Sequence, residues 1–307
     1  MLHSPVDAHQ KRLALREGLA SGRLLRFPGA FNALSGMLIE RAGMEGIYVS
    51  GAVVSASLGL PDIGLTTASE VAARAHEIVR MSALPTLVDA DTGFGEPLNA
   101  ARTVQVLEAA GASGCHIEDQ VNPKRCGHLD GKEVVGTEVM CRRIRAAAMA
   151  RQDSSFVICA RTDARAVEGL DATLARIEAY VDAGADMVFP EALAGAAEIE
   201  RARSATEAPV LVNLTEFGRT DLLTTAELAD LGVNVAIYPV TLLRLAMGAA
   251  ELGLRTIARE GTQKDLLDQM QTRSELYELI GYDSYGVFDS SVAAGGRPMS
   301  PDAGPNS

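Results

Sequence analysis

An alternation of short apolar runs with helical segments, repeated eight times along the chain, constrains the fold more than any other feature of this sequence. Each run is nearly continuous in apolar character, as parallel strands are when both of their faces are covered. The runs span residues 24–28, 46–50, 85–90, 114–118, 156–161, 187–191, 209–213 and 233–238. The helical segments span residues 33–42, 68–82, 99–110, 137–151, 171–183, 196–206, 225–231 and 241–260. Eight strand–helix units predict a parallel α/β fold, and their number favours a closed (β/α)8 barrel of the TIM type over an open sheet.

Both ends of the chain carry segments outside these eight units. Residues 4–20 predict an extra N-terminal helix that starts at Ser4 and Pro5, and residues 263–280 predict a C-terminal helix. Residues 292–307 are rich in Ala, Gly, Pro and Ser, which is typical of a disordered tail. A chain of 307 residues suits one barrel with such extensions. We therefore expect one domain over residues 1–291, followed by the tail.

The composition excludes several classes of protein. A net charge of −12, with six Tyr, seven Phe and no Trp, argues against nucleic-acid binding, which needs basic stripes and aromatic stacking platforms. No apolar run approaches the roughly 20 residues that span a bilayer. The first 16 residues lack the apolar stretch of a signal peptide, and the four Cys have no paired spacing. We expect a cytoplasmic protein that binds neither nucleic acid nor membrane.

Polar residues gather where the predicted strands end, and in a barrel this is the end that carries function. One or two such residues are routinely helix caps or loop ion pairs. Their recurrence in nearly every unit favours a functional site. The residues are Asn32, Tyr48, Ser50, Gly51, Asp89, Asp91, His116, Glu118, Asp119, Arg161, Asp163, Glu191, Asn213, Thr215, Glu216, Tyr238 and Arg244.

Two aspartates separated by one residue predict a metal site. Asp89 and Asp91 lie at the end of the third run, and the two-residue period of a strand places both side chains on one side. Carboxylates that close repel each other unless a proton or a cation lies between them. Glu118, at the end of the next run, adds a third carboxylate, and an all-oxygen set suits Mg²⁺, with Mn²⁺ as a substitute. The alternative is that Asp91 caps the turn at residues 93–95.

Cys126 is the candidate catalytic thiol. It lies among Lys124, Arg125 and His128, and positive neighbours favour the reactive thiolate. The long connection that holds it, residues 120–136, is typical of a functional lid. The alternative is an ordinary loop cysteine beside surface cations, and a zinc site would lack a partner pair at ligand spacing. The other cysteines are expected to be small buried hydrophobes: Cys115, Cys141 and Cys159.

Three arginines are candidate clamps for substrate carboxylates, because a guanidinium grips a carboxylate with two parallel hydrogen bonds. Arg161 lies at the end of the fifth run, Arg244 one turn into the eighth helix, and Arg273 in the C-terminal segment. Each alone is more often a surface ion-pair residue. Together they indicate a substrate with several carboxylates.

These motifs resemble the isocitrate lyase/phosphoenolpyruvate mutase superfamily over about residues 20–285. The run from Lys124 to His128, together with the Asp pair, is specific to the lyase side of the superfamily, since the phosphoenolpyruvate mutases proper lack this Cys run. Residues 213–218, with Arg244 and Arg273, follow the pattern of the lyases that cleave methylisocitrate. The matching stretches are residues 48–51, 58–62, 88–95, 116–120, 124–128, 160–164, 189–192, 213–218 and 270–273.

The resemblance implies catalytic and metal-binding roles. Asp89 and Asp91 would bind Mg²⁺ directly, and Glu118 would contribute through water. Cys126 would be the general acid, and Tyr48 is the candidate base.

The resemblance also implies a set of substrate contacts. The chain departs from similar proteins at Ala52, where they usually carry a second Gly. Ala keeps the backbone N–H, so we expect only a change in pocket shape. The implied contacts are Ser50, Gly51, Ala52, Asp62, Gly127, Arg161, Glu191, Asn213, Thr215, Arg244 and Arg273.

The implied reaction is a retro-Claisen-type cleavage of 2-methylisocitrate to pyruvate and succinate in propionate breakdown. The implied assembly is a homotetramer whose C-terminal helices are swapped between neighbouring subunits. Carboxyphosphoenolpyruvate mutase and lyases of smaller 2-alkylmalates such as 2,3-dimethylmalate share the Cys run and stay as alternatives. A third carboxylate needs its own cation, so Arg244 and Arg273 favour the tricarboxylate. A catalytically silent barrel that binds oxo-acids would need neither Cys126 nor the Asp pair, and both are present.

Overall fold

The computed structural model describes residues 4–127, 131–218, 220–293 and 295. In this part of the chain eight strands alternate with helices, and each strand overlaps one predicted apolar run, with bounds that differ by no more than two residues. The apolar signal worked because both strand faces are covered, so that every residue of the fourth and fifth strands is buried. The strands are β1 (Leu25–Pro28), β2 (Ile47–Val49), β3 (Thr86–Asp89), β4 (Gly114–Glu118), β5 (Val157–Thr162), β6 (Met187–Pro190), β7 (Leu211–Asn213) and β8 (Val235–Tyr238).

The strands form a closed parallel barrel. β2 to β6 pair in chain order, and β8 pairs with both β1 and β7. Single parallel bridges close the two remaining gaps, between Gly29 and Tyr48 and between Val188 and Val210. A Cβ atom at Gly29 would lie 1.9 Å from the carbonyl oxygen of Pro239, so only glycine allows the backbones to approach at this closing point. The predicted (β/α)8 barrel is confirmed.

The helices follow the predicted order, and all eight barrel helices are present. Short 3-10 turns lie at Ala164–Ala166 and Lys264–Gln269. The α-helices are α1 (Ala8–Ala20), α2 (Ala33–Arg41), α3 (Gly51–Ser57), α4 (Ala68–Val79), α5 (Pro97–Ala109), α6 (Thr137–Ala150), α7 (Leu170–Asp182), α8 (Ala196–Ser204), α9 (Thr225–Asp230), α10 (Thr241–Glu260), α11 (Arg273–Leu279) and α12 (Tyr282–Ala293).

Three details differ from the prediction. α1 begins after Asp7 and not at Ser4, because the Asp7 carboxylate accepts the amide of Gln10 at 2.8 Å and Gln10 returns a bond to the Asp7 amide. The predicted helix at 263–280 is broken, because Thr272 caps a new helix, α11. α3 was not predicted, because seven residues with small and apolar side chains carry too few turns for a periodic pattern.

α1 closes the barrel at the amino-terminal ends of the strands. Its Leu15 and Leu19 pack into one apolar cluster with inward-facing strand residues. Lys11 fixes the helix there by donating to the carbonyl of Val79, 2.7 Å away, at the end of α4. The polar opening of the barrel therefore lies at the carboxyl ends. The strand residues of the cluster are Leu25, Phe27, Tyr48, Leu87, Val157, Cys159, Met187, Phe189, Leu211, Val235 and Ile237.

The remaining cysteine predictions are confirmed by burial. Cys115, Cys141 and Cys159 are all buried, the first and last on neighbouring strands β4 and β5. Each is a small apolar core residue, as expected for a cysteine in a strand or on a buried helix face. Cys126 differs, because it is only partly buried.

Residues 241–293, which we call the C-terminal arm, leave much apolar surface exposed. Along α10 only Thr256 is buried, and α11 and α12 have no buried residue. Leu254 is 68% exposed and Val287 71%. The apolar residues of the arm are therefore left uncovered within the single chain. Even so, within the described residues no helix, α10 included, combines the length and apolarity needed to cross a membrane.

The last described helix reaches slightly beyond the predicted end of the domain. α12 includes Val292 and Ala293, the first two residues of the segment that was expected to be a tail. Residues 294 and 296–307 lie outside the described part of the chain.

Candidate active site

The carboxyl ends of the strands surround a group of six carboxylates, which we call the carboxylate cluster, and all of them but the partly exposed Asp62 are buried. Among the described residues, three cations lie in contact with it: Lys124, Arg161 and Lys132. Six ionised carboxylates against three cations would leave excess negative charge in a largely buried place, which is costly unless some carboxylates are protonated or a further cation is bound. The cluster consists of Asp62, Asp89, Asp91, Glu118, Asp163 and Glu191.

Asp89 and Asp91 converge on the start of α3. The amide of Gly51 donates to Asp89 Oδ2 at 3.0 Å, and the amide of Asp91 donates to Asp89 Oδ1 at 3.1 Å. A Cβ atom at Gly51 would lie 2.9 Å from Asp89 Oδ2 and 3.2 Å from Asp91 Oδ1. The missing side chain at Gly51 therefore leaves a cradle between two carboxylates that point at the same place.

The two aspartates differ in their electrostatics. Burial opposes ionisation of Asp89, but neighbouring positive charge, together with the Gly51 amide, lowers its pKa to about 2. Burial lowers the pKa of His116 to about 4, so near pH 7 that positive charge comes from Lys124 and Arg161. Burial and the charge of Asp89 raise the pKa of Asp91 to about 6. Asp89 is thus the firmly ionised member of the pair.

Glu118 fits the outer shell of a metal site. Both of its carboxylate oxygens are buried and accept no hydrogen bond, and burial raises its pKa well above the ordinary value. A nearby divalent cation would relieve both conditions. Among the described residues, no three His, Cys, Asp or Glu side chains converge at coordination distance. Asp89, Asp91 and Glu118 together offer only carboxylate oxygens, the donor type that suits Mg²⁺.

Lys124 has a larger part in the site than its sequence position indicates. Its ammonium lies 2.7 Å from Asp91 Oδ1 and also contacts Asp62. Burial opposes its charge, but Glu118 and the neighbouring aspartates raise its pKa above the ordinary value. The sequence marked this residue only as a basic neighbour of Cys126. Asp62, an implied substrate contact, is paired with Lys124.

Arg161 connects three carboxylates of the cluster. Its Nε lies 2.9 Å from Asp163 and 3.2 Å from Glu118, and Nη2 lies 3.3 Å from Glu191. Burial opposes the guanidinium charge, but these carboxylates raise its pKa well above the ordinary value. Asn213 Nδ2 donates to Glu191 at 3.3 Å. Arg161, Glu191 and Asn213 are therefore brought together, as the sequence predicts.

Cys126 is brought to the same group of residues by its neighbour. Gly127 is so close to Arg161 and Glu191 that a Cβ atom on it would lie 2.5 Å from a side-chain atom of each. Arg125, the residue before Cys126, is held by the side chain of Gln120. The backbone amide of Arg125 donates to Gln120 Oε1 at 2.9 Å, and Gln120 Nε2 donates to the backbone carbonyl of Arg125 at 2.8 Å. The partly buried Cys126 is therefore placed beside the carboxylate cluster. The third basic neighbour in the run, at position 128, lies outside the described residues.

Tyr48 is paired with His116, which the sequence placed at a strand end without a role. Its Oη lies 2.7 Å from His116 Nε2 and 3.4 Å from Asp89 Oδ2. Burial and the charge of Asp89 raise the pKa of the phenol well above its ordinary value. Tyr48 is thus a neutral phenol at neutral pH, and it can serve as a base only by passing its own proton to a neighbour.

The remaining implied contacts at the opening come from two places. Ser50 precedes α3 and is buried, and its hydroxyl does not cap the helix. Ala52 follows in the first turn of α3, where helix amides remain available to an anion. Thr215 lies two residues after β7 and is partly exposed. These residues can line the opening of the barrel above the cluster.

The other two arginine clamps are not brought to the cluster in this chain. Arg244 is paired with Glu216, at 2.7 Å, and lies over the ring of Phe217 at 5.3 Å. Arg273 is exposed at the start of α11, on the C-terminal arm. Arg41, which ends α2 at the opposite face of the barrel, acts electrostatically on nearby Glu275. Arg273 thus cannot be assigned to the cluster of its own chain.

Curated relatives align over nearly the whole chain. Residues 15–258 match the model of the phosphoenolpyruvate phosphomutase family. A probable 2-methylisocitrate lyase of Corynebacterium glutamicum is 59% identical over 292 residues, which cover 95% of this chain and 95% of that protein. The 2-methylisocitrate lyase of Salmonella typhimurium is 50% identical over 283 residues, which cover 92% of this chain and 94% of that protein.

Solved structures give the same grouping. A 2,3-dimethylmalate lyase, a member of the phosphoenolpyruvate mutase/isocitrate lyase superfamily, superposes with a TM-score of 0.86 at 34% identity, covering 96% of this chain and 99% of that chain. A phosphonopyruvate hydrolase in complex with oxalate and Mg²⁺ gives a TM-score of 0.83 at 32% identity, covering 91% and 98%. These relatives are enzymes, which leaves the catalytically silent barrel without support. The chain therefore belongs to the phosphoenolpyruvate phosphomutase family, and it is a carbon–carbon lyase of the isocitrate lyase/phosphoenolpyruvate mutase superfamily.

Proposed function

We propose that the chain is a Mg²⁺-dependent lyase that cleaves 2-methylisocitrate to pyruvate and succinate. The observation that carries the proposal is the placement of Gly127, the neighbour of Cys126, against Arg161 and Glu191, in the same carboxylate cluster as the Asp89–Asp91 pair. An acid, an anion clamp and a metal cradle then meet around one substrate. The names of the curated relatives support methylisocitrate as that substrate.

In the proposed mechanism Asp89 and Asp91 would hold Mg²⁺, and Glu118 would contribute through water. The bound ion would supply Lewis acidity to the oxo-acid half of the substrate. Tyr48 takes the proton of the substrate hydroxyl while its own proton passes to a neighbour. His116 Nε2, 2.7 Å away, is within reach.

The carbon–carbon bond then breaks, with its electron pair staying on the succinate half. The carbonyl of pyruvate forms from the deprotonated hydroxyl. Cys126 completes the reaction by donating its thiol proton to the succinate carbanion, which balances the proton lost at the hydroxyl. Arg161 is placed to offset the negative charge that develops near Glu118 and Glu191.

A smaller dicarboxylate such as 2,3-dimethylmalate is the second candidate substrate. Two observations favour it: Arg244 is already neutralised by Glu216, and Arg273 lies on the C-terminal arm. A third substrate carboxylate would have to compete with Glu216 for Arg244. The solved 2,3-dimethylmalate lyase also shares this fold closely.

Arg244→Ala separates the two candidates. If Arg244 binds the third carboxylate, the variant loses a charged hydrogen bond of about 1.5–3 kcal/mol, which raises KM for 2-methylisocitrate about 10- to 100-fold. KM for 2,3-dimethylmalate should stay unchanged. Arg255→Ala on the same helix, where Arg255 forms an exposed pair with Glu251, is the matched control. An unchanged KM for methylisocitrate in Arg244→Ala would contradict the tricarboxylate assignment.

We also propose a cytoplasmic homotetramer, active in propionate breakdown, whose C-terminal arms are exchanged between neighbouring subunits. The exposed apolar residues of the arm support this assembly, because they need a partner surface. Light scattering should give a mass four times that of the 32.3 kDa chain. Leu254→Asp should reduce that mass, because Leu254 is 68% exposed in the single chain and a charge there would be buried by a partner. A monodisperse monomer with full lyase activity would contradict the tetramer.

A further inference from the structure

Lys132 is a buried lysine that takes no part in the mechanism above. Its side chain is 1% exposed, and its ammonium lies 2.8 Å from Asp163 Oδ1. The same ammonium donates a hydrogen bond to the carbonyl oxygen of Gly127. A buried ammonium needs such partners, and here one partner belongs to the barrel while the other belongs to the loop that carries Cys126.

The barrel partner, Asp163, is a fixed point. Its carboxylate accepts two further hydrogen bonds from Arg161, at 2.9 and 3.3 Å, and its amide donates to Asp119 at 2.9 Å. Asp119 is fully buried and in turn accepts bonds from the hydroxyl of Tyr180 and the guanidinium of Arg176. Lys132 is therefore anchored to a network that holds Arg161 in place.

The loop partner, Gly127, is the residue that contacts the site. Its Cα faces Arg161 and Glu191, and its carbonyl has Lys132 as a donor. The base of the loop is held separately, because the amide of Val121 donates to the carbonyl of Glu133 at 2.9 Å. The bond from Lys132 thus acts on the part of the loop next to Cys126 and not on its base.

We propose that Lys132 is a positioning residue that holds the Cys126–Gly127 peptide against Arg161 and Glu191. It acts through Gly127 and does not touch the substrate. The expected effect of Lys132 on turnover rests on the proposed function, in which Cys126 is the general acid. A misplacement of about 1 Å at a reacting group can cost about 100-fold in rate, so loss of this bond should have a kinetic effect.

The test compares Lys132→Met with the wild-type protein by two measurements. The first is the rate at which iodoacetamide alkylates Cys126 in the resting protein, followed by peptide mass spectrometry. The other cysteines are buried and serve as internal references. The second is kcat and KM for pyruvate release from 2-methylisocitrate. Arg145→Met is the control, because Arg145 is half exposed on α6, outside the C-terminal arm, and pairs with Glu138 at the surface.

In the Lys132→Met variant, iodoacetamide should alkylate Cys126 at least about tenfold faster than in the wild-type protein. The variant's kcat should be about 10- to 100-fold lower, and its KM should stay within about threefold of the wild-type value. Asp163 keeps its bonds to Arg161, so the variant is expected to fold, and a melting curve checks this. If Lys132→Met is unstable, Lys132→Gln takes its place in the test. The shorter Gln amide cannot reach both partners, so this variant should show the same changes at smaller size. A wild-type alkylation rate in a folded variant contradicts the positioning role. The alkylation result does not depend on which substrate is cleaved, so it stands apart from the proposed function.

Discussion

Cys126→Ser is expected to lower kcat for pyruvate release by about 10²- to 10⁴-fold, the usual contribution of a general acid. Serine keeps the size of the side chain, but its hydroxyl is a far weaker acid than a thiol. The proposed substrate contacts through Gly127, Arg161 and Glu191 remain, so KM should change little. Loss in kcat with unchanged KM is the signature of an interaction made in the transition state.

The control for this variant is Cys141→Ser. Cys141 is buried on α6, away from the carboxylate cluster, and its sulfur contacts the carbonyl of Ala179 at 3.5 Å, a partner that a serine hydroxyl can also use. This control should retain nearly full activity. If Cys126→Ser kept more than about a tenth of the wild-type kcat, another group would have to supply the proton.

Asp91→Asn is expected to abolish both metal binding and turnover. Asp91 has a φ of 45°, a left-handed conformation that asparagine tolerates well, so the backbone should be preserved. The variant removes one of the two carboxylates that converge beside Gly51. Affinity for Mn²⁺, followed by electron paramagnetic resonance or calorimetry, should fall more than about 100-fold. Activity should fall by at least about 1000-fold, since Lewis-acid stabilisation is worth several kcal/mol.

Asp171→Asn is the matched control for the metal measurement. Asp171 is exposed at the start of α7 and pairs with Arg201 at 2.7 Å, far along the chain from the Asp pair, so its charge change should leave Mn²⁺ binding unaltered. Wild-type Mn²⁺ affinity in Asp91→Asn would mean that the Asp pair is not the metal site. Chelation of the wild-type protein with EDTA should reproduce the loss of activity, and added Mg²⁺ should restore it.

The barrel could be predicted because the burial of its strands produces a local pattern of apolar residues in the sequence. A strand enclosed by a barrel interior and a helix layer must be apolar on both faces, and β4 and β5 show this directly. The break before α11 could not be predicted in the same way, since it depends on one cap at Thr272. α3 is too short for a period, although Ser50 stands where an N-cap would.

The site was predictable where strand ends define it and not where loops do. Asp89, Glu118 and Arg161 meet because parallel strands end at one edge. Lys124 and Lys132 reach the cluster from a loop whose path leaves no periodic signal, so their partners could not be read from spacing. The sequence marks Lys124 as a basic neighbour of Cys126, whereas Lys132 has no signal beyond being one of four lysines in an acidic chain.

Arg244 and Arg273 are the opposite case, because the sequence singled them out but the structure does not bring them to the carboxylate cluster. Their motif positions match the superfamily pattern, but a position in a sequence does not determine which carboxylate, or which subunit, a side chain serves. Arg244 lies near the opening and is engaged by Glu216. Arg273 lies on an arm whose apolar residues are left uncovered in one chain, and within that chain its side chain is exposed.

The most direct test of the central claim is pyruvate release by the purified wild-type protein with Mg²⁺. It compares 2-methylisocitrate, isocitrate and 2,3-dimethylmalate at matched concentrations. We expect turnover of 2-methylisocitrate with kcat/KM at least about tenfold above either other substrate, as a contact to a third carboxylate and a fitted methyl group would give. Turnover of 2,3-dimethylmalate alone would keep the fold and the chemistry but contradict the substrate. No pyruvate from any of the three would contradict the proposed function itself and direct attention to carboxyphosphoenolpyruvate chemistry.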